Sequence, residues 1–297
     1  MIKAIKKFKK KVSLQTAGIL AILIFLFFLL IIQIIASPKT SLPPTSIQQI
    51  QPSPVTTLMI TPTPTIYTPQ VWGHQIRVPI LMYHYIGNNP DPKDSQRETI
   101  SLGPDKFDEQ MKYLHDNNYT SITLDTLYPT ITNQTYLSEK SVILTFDDGY
   151  MDFYYNAYPI LQKYNIRATV FIPTILMNQG YYLTWQQIKE MSSSGLITLG
   201  SHCFHHYHLT TLSPEAIEFE LKESKKILQD TLGVPINFLA YPYGSTNNQI
   251  IEGVKKAGYI GAVGTWPSKI QSEGTIFNMP RLRISGGITL QDFIQLL

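Results

Sequence analysis

Cysteine is almost absent from this chain, since Cys203 is the single one among 297 residues. One thiol cannot form an intrachain disulfide, and it also excludes a zinc site built from several cysteines. A lone thiol inside a folded domain most often behaves as a small apolar side chain. We therefore expect Cys203 to be a buried thiol and not a metal ligand.

Acidic residues are missing from residues 1–70, which hold seven lysines. These lysines outnumber the formal net charge of +3, so the remaining chain carries a net negative charge. A nucleic-acid-binding domain needs a basic face on its folded part. The charge distribution therefore predicts no nucleic-acid partner.

A long apolar run covers residues 17–36, where Gln33 is the one strongly polar side chain. Twenty such residues are long enough to cross a bilayer as a helix, and the lysines of residues 1–16 favour a cytoplasmic amino terminus. The sequence therefore predicts a single-pass anchor with the rest of the chain outside. A cleaved signal peptide, with its cleavage site near "IIAS" at 34–37, is the alternative.

Residues 37–76 are rich in Pro, Thr, Ser and Gln and show no apolar period, which is typical of an extended or disordered linker. From residue 77 on, short apolar runs alternate with amphipathic stretches. This alternation predicts a single α/β domain over 77–297 with a parallel sheet or barrel. The predicted strands cover 78–86, 142–146, 167–172, 195–202, 235–244 and 260–264, and the helices 103–118, 152–165, 213–233, 247–259 and one capped by Thr184 and Gln187.

Polar side chains follow several of these strands, at the edge where functional groups of parallel α/β folds gather. Asp147 and Asp148 end the strand "VILTF", and His84 lies within the first strand. The Asp-Asp-Gly sequence has two interpretations. It is either a turn, or a site where one carboxylate binds a cation while the other moves a proton.

The stretch "GSHCFHHYHL" at 200–209 holds four of the seven histidines. His202 and His206 are four residues apart, so their imidazoles would meet if the segment formed one helical turn. With Asp148 they would form a two-histidine, one-carboxylate set that suits Zn²⁺ first, with Co²⁺, Ni²⁺ or Fe²⁺ as alternatives. We expect His205 and His208 not to bind the metal.

Three motifs in this order, "TFDDGY", "SHCFHH" and "YPYG", resemble the signature motifs of the polysaccharide deacetylases, the carbohydrate esterase family four with a NodB-homology domain. The resemblance covers about residues 78–297. It implies a deformed (β/α) barrel and metal-dependent removal of acetyl groups from sugar polymers.

The resemblance also implies a role for each matching residue. Asp147 corresponds to the general base, and Asp148, His202 and His206 correspond to the metal ligands. The backbone N–H of Tyr243, in the third motif, would donate to the tetrahedral oxyanion.

The chain departs from the family pattern at two places. Ala240 stands where many members have an arginine that orients the base, and no histidine follows His208. "PILMYHYIG" resembles the subgroup that deacetylates poly-β-1,6-N-acetylglucosamine, in which an amino-terminal histidine acts as general acid; here this is His84. Arg281 or Arg283, in "MPRLRISGG", is expected to orient Asp147, and the sequence leaves the choice open.

The sequence thus predicts a membrane-anchored, metal-dependent N-deacetylase of an extracellular amino-sugar polymer similar to poly-β-1,6-N-acetylglucosamine. A deacetylase of peptidoglycan, chitin or O-acetylated xylan is one alternative. A catalytically inactive barrel that binds glycan is another, because of the two departures.

Overall fold

The computed structural model describes residues 73–91 and 93–297. The predicted basic segment at 1–16, the anchor at 17–36 and the linker up to residue 72 lie outside these ranges. Within the described ranges, no helix has the length and apolar character needed to cross a bilayer. The first strand, β1 (Gln75–Arg77), pairs antiparallel with residues 270–272. Residue 77, the predicted start of the folded domain, therefore lies within a strand.

A curled parallel sheet forms the centre of the domain. The strands after β1 are β2 (Ile80–Tyr83), β3 (Tyr85–Ile86), β4 (Ser101–Leu102), β5 (Thr120–Ser121), β6 (Ser141–Phe146), β7 (Ala168–Ile172), β8 (Ile197–Ser201), β9 (Phe238–Ala240), β10 (Gly261–Val263), β11 (Ile270–Ser272) and β12 (Leu282–Arg283). The hydrogen-bonded order of the strands in the central sheet is β10-β9-β8-β7-β6-β2-β12, and β5 pairs with the first residues of β6. A parallel sheet flanked by helices is consistent with the predicted deformed (β/α) barrel.

One short segment, 279–284, bonds to two strands that lie far apart in this order. The Met279 N–H donates to Ala262 O of β10 over 2.8 Å, and Gly264 N–H donates to Met279 O over 2.8 Å. A few residues later, β12 pairs in parallel with β2. The segment therefore connects β10 with β2, which lie at opposite sides of the sheet.

Helices alternate with the strands along the chain. The predicted capping box of Thr184 and Gln187 is confirmed, and so is the long helix that begins after Ser213 and ends at Gly233, whose φ is +69°. The helices are α1 (Ser95–Ile100), α2 (Pro104–Asp116), α3 (Leu124–Thr132), α4 (Tyr158–Tyr164), α5 (Trp185–Ser193), α6 (Pro214–Leu232), α7 (Asn248–Lys256) and α8 (Leu290–Leu296).

Three predicted elements differ in detail from the structure. The strand predicted at 78–86 is interrupted at His84, which separates β2 from β3. The helix predicted at 152–165 starts with a π-helical turn at Phe153–Ala157 before α4. The strand predicted at 235–244 is limited to β9, because Pro242–Gly244 form a 3-10 turn.

Side chains of the central strands alternate between two apolar clusters. Val142 and Leu144 belong to the larger cluster with residues of the surrounding helices, whereas Ile143 belongs to the smaller one with Phe171 and Phe238. Successive strand residues point to opposite faces of a sheet. Asp147 directly follows β6 and is an even number of residues from Ile143. Its side chain therefore lies on the same face of the sheet as that of Ile143.

Candidate metal centre and active site

Three side chains converge on one point at the carboxyl end of the sheet. Asp148 lies in the turn that follows β6, His202 follows β8, and His206 lies four residues further on. The Oδ1 atom of Asp148 is 3.3 Å from Nε2 of His202 and 3.1 Å from Nε2 of His206. One ligand atom from each of the three lies within 4.8 Å of the others. The structure thus brings together the three residues that the sequence predicted as metal ligands.

The donor atoms fit a divalent cation. His202 donates its Nδ1–H to the Ala240 carbonyl over 2.7 Å, so in the neutral ring the lone pair that a cation can bind is on Nε2. Nε2 of His206 is buried and has no hydrogen-bond partner among the described residues. Two ligands about 2.1 Å from one Zn²⁺ at tetrahedral or octahedral angles lie about 3.0–3.4 Å apart, which agrees with the two Asp148–imidazole distances.

The loop at 202–206 brings His202 and His206 together without forming the helical turn that the spacing argument had assumed. Cys203 and His206 both have a φ of +65°, which folds the loop back on itself. Thr174 N–H donates to Cys203 O over 3.3 Å, so a neighbouring loop also fixes this path. Cys203 is a free, fully buried thiol, as expected, and burial raises its pKa well above the usual range.

Asp147 is paired with a buried arginine. Nη1 and Nη2 of Arg281 each donate to one carboxylate oxygen of Asp147 over 2.7 Å. Arg281 has no exposed surface, and its other donors contact Thr145 Oγ1 and the Gly264 carbonyl. Arg283 is exposed. Of the two arginines that the sequence left open, Arg281 therefore contacts Asp147.

The pKa values of the two neighbouring carboxyls are both lowered. Burial alone would raise the pKa of Asp147, but the charge and hydrogen bonds of Arg281 outweigh it. Burial also opposes ionisation of Asp148, and its contacts with His202 and His206 lower its pKa well below the usual range. Each of the two adjacent carboxylates thus has its own stabilising partners, which explains how both stay ionised side by side.

His84 lies beside Asp147 through the register of two strands. Tyr83 pairs with Phe146 in the parallel β2–β6 ladder, and Asp147 N–H donates to Tyr83 O over 3.0 Å. Nδ1 of His84 is buried without a hydrogen-bond partner among the described residues. Burial is the main cause that lowers the pKa of His84, although both nearby aspartates oppose it.

Tyr243 lies at the rim of the site. Its φ is +59° in the turn after Pro242, and the residue is 57% exposed. The ring stacks on His208 at 3.9 Å between centroids and contacts the His206 ring at 4.7 Å. The third motif is therefore in direct contact with one predicted metal ligand.

A row of stacked rings lies beside the site, and sequence reasoning considered Tyr182 as a ring that could stack on sugars but missed Tyr85 and Tyr150. Tyr85 stacks on Tyr150 at 3.6 Å, Tyr150 stacks on Tyr182 at 5.4 Å, and the Arg97 guanidinium lies 3.3 Å from the Tyr85 ring centre. Burial raises the pKa of Tyr85 to about 12, so its hydroxyl stays protonated. Tyr85 directly follows His84, and Tyr150 directly follows the Asp-Asp-Gly motif. Their positions next to these motif residues are the sequence signal that could have identified Tyr85 and Tyr150.

Comparisons with known proteins agree with this geometry. The family model for polysaccharide deacetylases matches residues 118–262. YxkH of Bacillus subtilis, which carries a polysaccharide deacetylase assignment, is 33% identical over 213 residues, or 72% of this chain and 73% of that protein. The poly-β-1,6-N-acetyl-D-glucosamine N-deacetylase of Staphylococcus aureus (strain MSSA476) is 27% identical over 227 residues, or 71% of this chain and 77% of that protein.

A solved structure of a deacetylase has a fold similar to that of this chain. The Streptococcus pyogenes deacetylase PplD, determined in complex with acetate, superposes with a TM-score of 0.70 at 31% sequence identity. The match covers 75% of this chain and 99% of that one. The fold is thus shared over a stretch about as long as the described region.

Proposed function

This chain belongs to the polysaccharide deacetylase family, hydrolases that act on the carbon–nitrogen bond of N-acetyl groups, and from this premise we propose that its substrate is a polymer similar to poly-β-1,6-N-acetylglucosamine. The observation that carries the hydrolytic activity of this site is the buried pair of Asp147 and Arg281 directly beside the convergence of Asp148, His202 and His206. A pure glycan-binding protein has no need of an oriented, ionised base at such a site.

We propose that Asp148, His202 and His206 hold a divalent metal ion, with Zn²⁺ as the first choice and Co²⁺, Ni²⁺ or Fe²⁺ as alternatives. When bound, such an ion lowers the pKa of a coordinated water and polarises the acetyl carbonyl. Asp148 supplies the negative charge of the ligand set, and the Ala240 carbonyl keeps His202 in the tautomer that can bind a cation.

The remaining residues move protons and hold charge. Asp147 accepts a proton from the attacking water, and Arg281 keeps its carboxylate ionised and fixed in orientation. The backbone N–H of Tyr243 donates to the oxyanion of the tetrahedral intermediate. His84 donates a proton to the amide nitrogen as the carbon–nitrogen bond breaks, so that water and the N-acetyl group yield acetate and a free amine.

The substrate assignment rests on two observations. The Staphylococcus aureus relative is named for its action on poly-β-1,6-N-acetyl-D-glucosamine. In addition, His84 precedes the other motifs in the chain and lies next to Asp147 in the sheet, so a proton donor is available although no histidine follows His208.

The test is acetate release by the full chain from β-1,6-linked and β-1,4-linked N-acetylglucosamine oligomers, with Zn²⁺ and after chelation. We expect metal-dependent acetate and a higher kcat/KM on the β-1,6-linked oligomer. A preference for β-1,4-linked oligomers would instead indicate chitin or peptidoglycan as the substrate. Binding of the oligomers without acetate release from either would contradict the proposal and favour an inactive glycan-binding barrel.

We also propose that the apolar segment at 17–36 anchors the protein in a membrane, with the catalytic domain outside the cytoplasm at the end of the Pro- and Thr-rich linker. This location would place the site beside extracellular polysaccharide. Alkaline extraction of membranes tests it, because an anchored chain stays in the pellet. Recovery of a shorter chain in the medium would indicate cleavage instead.

A further inference from the structure

Glu220 is a buried carboxylate on α6 whose hydrogen bonds all go to one loop. It is 2% exposed. Its Oε2 accepts the backbone N–H of Phe204 over 3.0 Å and that of His205 over 2.8 Å. Its Oε1 accepts the Nδ1–H of His205 over 2.5 Å. The three donors lie immediately before His206.

Burial of a carboxylate is costly unless several donors satisfy it. Two consecutive backbone N–H groups on one carboxylate oxygen fix the direction of the chain, because both peptide planes must face the same acceptor. The acceptor itself is on a helix of 19 residues, so its position is rigid. Glu220 therefore ties the path of residues 204–205 to the helical layer of the domain.

The loop has little regular structure of its own to hold it. Residues 202–206 contain no helix or strand, and Cys203 and His206 both have φ of +65°. His202 is anchored separately, because its N–H donates to Ile172 O over 2.9 Å and its ring contacts Ala240. The contacts of Glu220 act on the other half of the loop, the half that carries His206.

The ring of His205 adds to this connection. It stacks on Tyr207 at 4.9 Å with the planes 10° apart, and the ring of Phe219 on α6 lies 6.2 Å from it. Glu220 thus fixes both the backbone and the side chain of the residue that precedes His206.

We propose that Glu220 is a positioning residue that pre-orients His206 for metal binding by holding the backbone of residues 204–205. This inference rests on the proposed metal site. Without the hydrogen bonds of Glu220, metal binding must itself order the backbone of residues 204–205. This cost lowers the affinity for the metal. Outer hydrogen bonds that orient ligands typically contribute about 10–100-fold in metal affinity.

The experiment compares Glu220→Gln and Glu220→Ala with Glu218→Gln in the full chain. Glu218 lies on the same helix but is exposed and pairs with Lys222, so its substitution changes the charge equally without touching the loop. The dissociation constant for Zn²⁺ alone is measured by competition with a chromophoric chelator, and the visible spectrum of bound Co²⁺ reports the ligand geometry. Hydrogen exchange of the peptide spanning 203–208 is measured on the metal-free protein.

We expect the Zn²⁺ dissociation constant to rise about tenfold in Glu220→Gln and more in Glu220→Ala, with an altered Co²⁺ spectrum. Exchange at 204–205 should accelerate in both variants before any metal is added. The activity of Glu220→Gln should return toward the wild-type level at saturating Zn²⁺. Glu218→Gln should match the wild type in every measurement, and if Glu220→Ala fails to fold, the isosteric Gln variant decides.

A Zn²⁺ dissociation constant, Co²⁺ spectrum and loop exchange in Glu220→Gln equal to those of Glu218→Gln would overturn the positioning role and leave the proposed function intact. A wild-type chain that binds no Zn²⁺ would overturn the proposed metal site and the positioning role with it. The two failures are therefore distinguishable.

Discussion

Arg281 and Asp147 are 134 residues apart in the sequence and form a bidentate ion pair, with both donor–acceptor distances at 2.7 Å. Arg281 belongs to segment 279–284, which connects β10 with β2. The contact that orients the proposed base is thus made by the segment that connects these two strands. Arg281 thus makes the contact with Asp147 that the sequence interpretation expected of either Arg281 or Arg283.

Replacement of Arg281 should destabilise the protein strongly. Arg281→Met leaves Asp147 buried without its partner, and loss of one member of a buried pair typically costs about 3–5 kcal/mol. We expect a fall of this size in the free energy of unfolding, measured by urea denaturation. The matched control, Arg283→Met, should change it by less than about 1 kcal/mol, because Arg283 is exposed.

The double variant Asp147→Asn, Arg281→Met should regain part of that stability, because both charges are then absent. Equal losses in Arg281→Met and Arg283→Met would show that the pair does not support the fold.

His84→Gln should lower kcat by about 10²–10⁴-fold, the usual contribution of a general acid. The Zn²⁺ dissociation constant should stay unchanged, because His84 is not among the three converging ligands. Steady-state kinetics and metal titration on the same preparation measure both quantities. His115→Gln, an exposed histidine on α2, serves as control. A kcat of His84→Gln equal to that of the control would assign the proton donor to another group.

Asp152 should make stability depend on pH. Burial raises its pKa from 3.8 to about 6, against the opposing charge of Arg97. A carboxyl with a raised pKa in the folded state stabilises the fold below its unfolded pKa, and this stabilisation is lost as pH rises through about 6. Between pH 4 and 7, the unfolding free energy of the wild type should therefore fall by up to about 2 kcal/mol relative to Asp152→Asn.

Urea denaturation of both metal-free proteins at several pH values measures this difference. Other titrating groups are common to both proteins and cancel in the comparison. A difference that does not change with pH would contradict the raised pKa of Asp152.

Local signals explain what the sequence could predict. Asp147 and Asp148 end a strand, and His202 ends another, so the rule that parallel strands gather function at their carboxyl ends brought them together. Thr184 and Ser213 carry cap signatures that depend on a few neighbouring residues, and both helices begin where expected.

Features that depend on distant contacts were not predictable. Arg281 and Arg283 are two residues apart, so strand alternation would place both on one face. Between Met279 and Leu282, however, the chain passes from β10 to β2, which breaks the alternation and buries Arg281 alone. Helix α3 contains Pro129, a residue that normally argues against a helix interior, and it was not predicted.

The path of the loop at 202–206 could not be predicted from its local sequence either. Its ligands meet through positive φ angles at Cys203 and His206, which non-glycine residues adopt only when their surroundings hold them there. Glu220, whose carboxylate contacts this loop, lies 14 residues beyond His206 on another element, and nothing in its local sequence marks it.

The most direct test separates the proposed roles of the two adjacent aspartates, Asp147 as general base and Asp148 as metal ligand. Zn²⁺ binding and acetate release are measured together for the wild type, Asp147→Asn and Asp148→Asn on β-1,6-linked N-acetylglucosamine oligomers. We predict that Asp147→Asn binds Zn²⁺ nearly as tightly as the wild type but loses at least about 10²-fold in kcat, whereas Asp148→Asn loses Zn²⁺ binding itself. Retained acetate release in Asp147→Asn, or unchanged Zn²⁺ affinity in Asp148→Asn, would contradict the account.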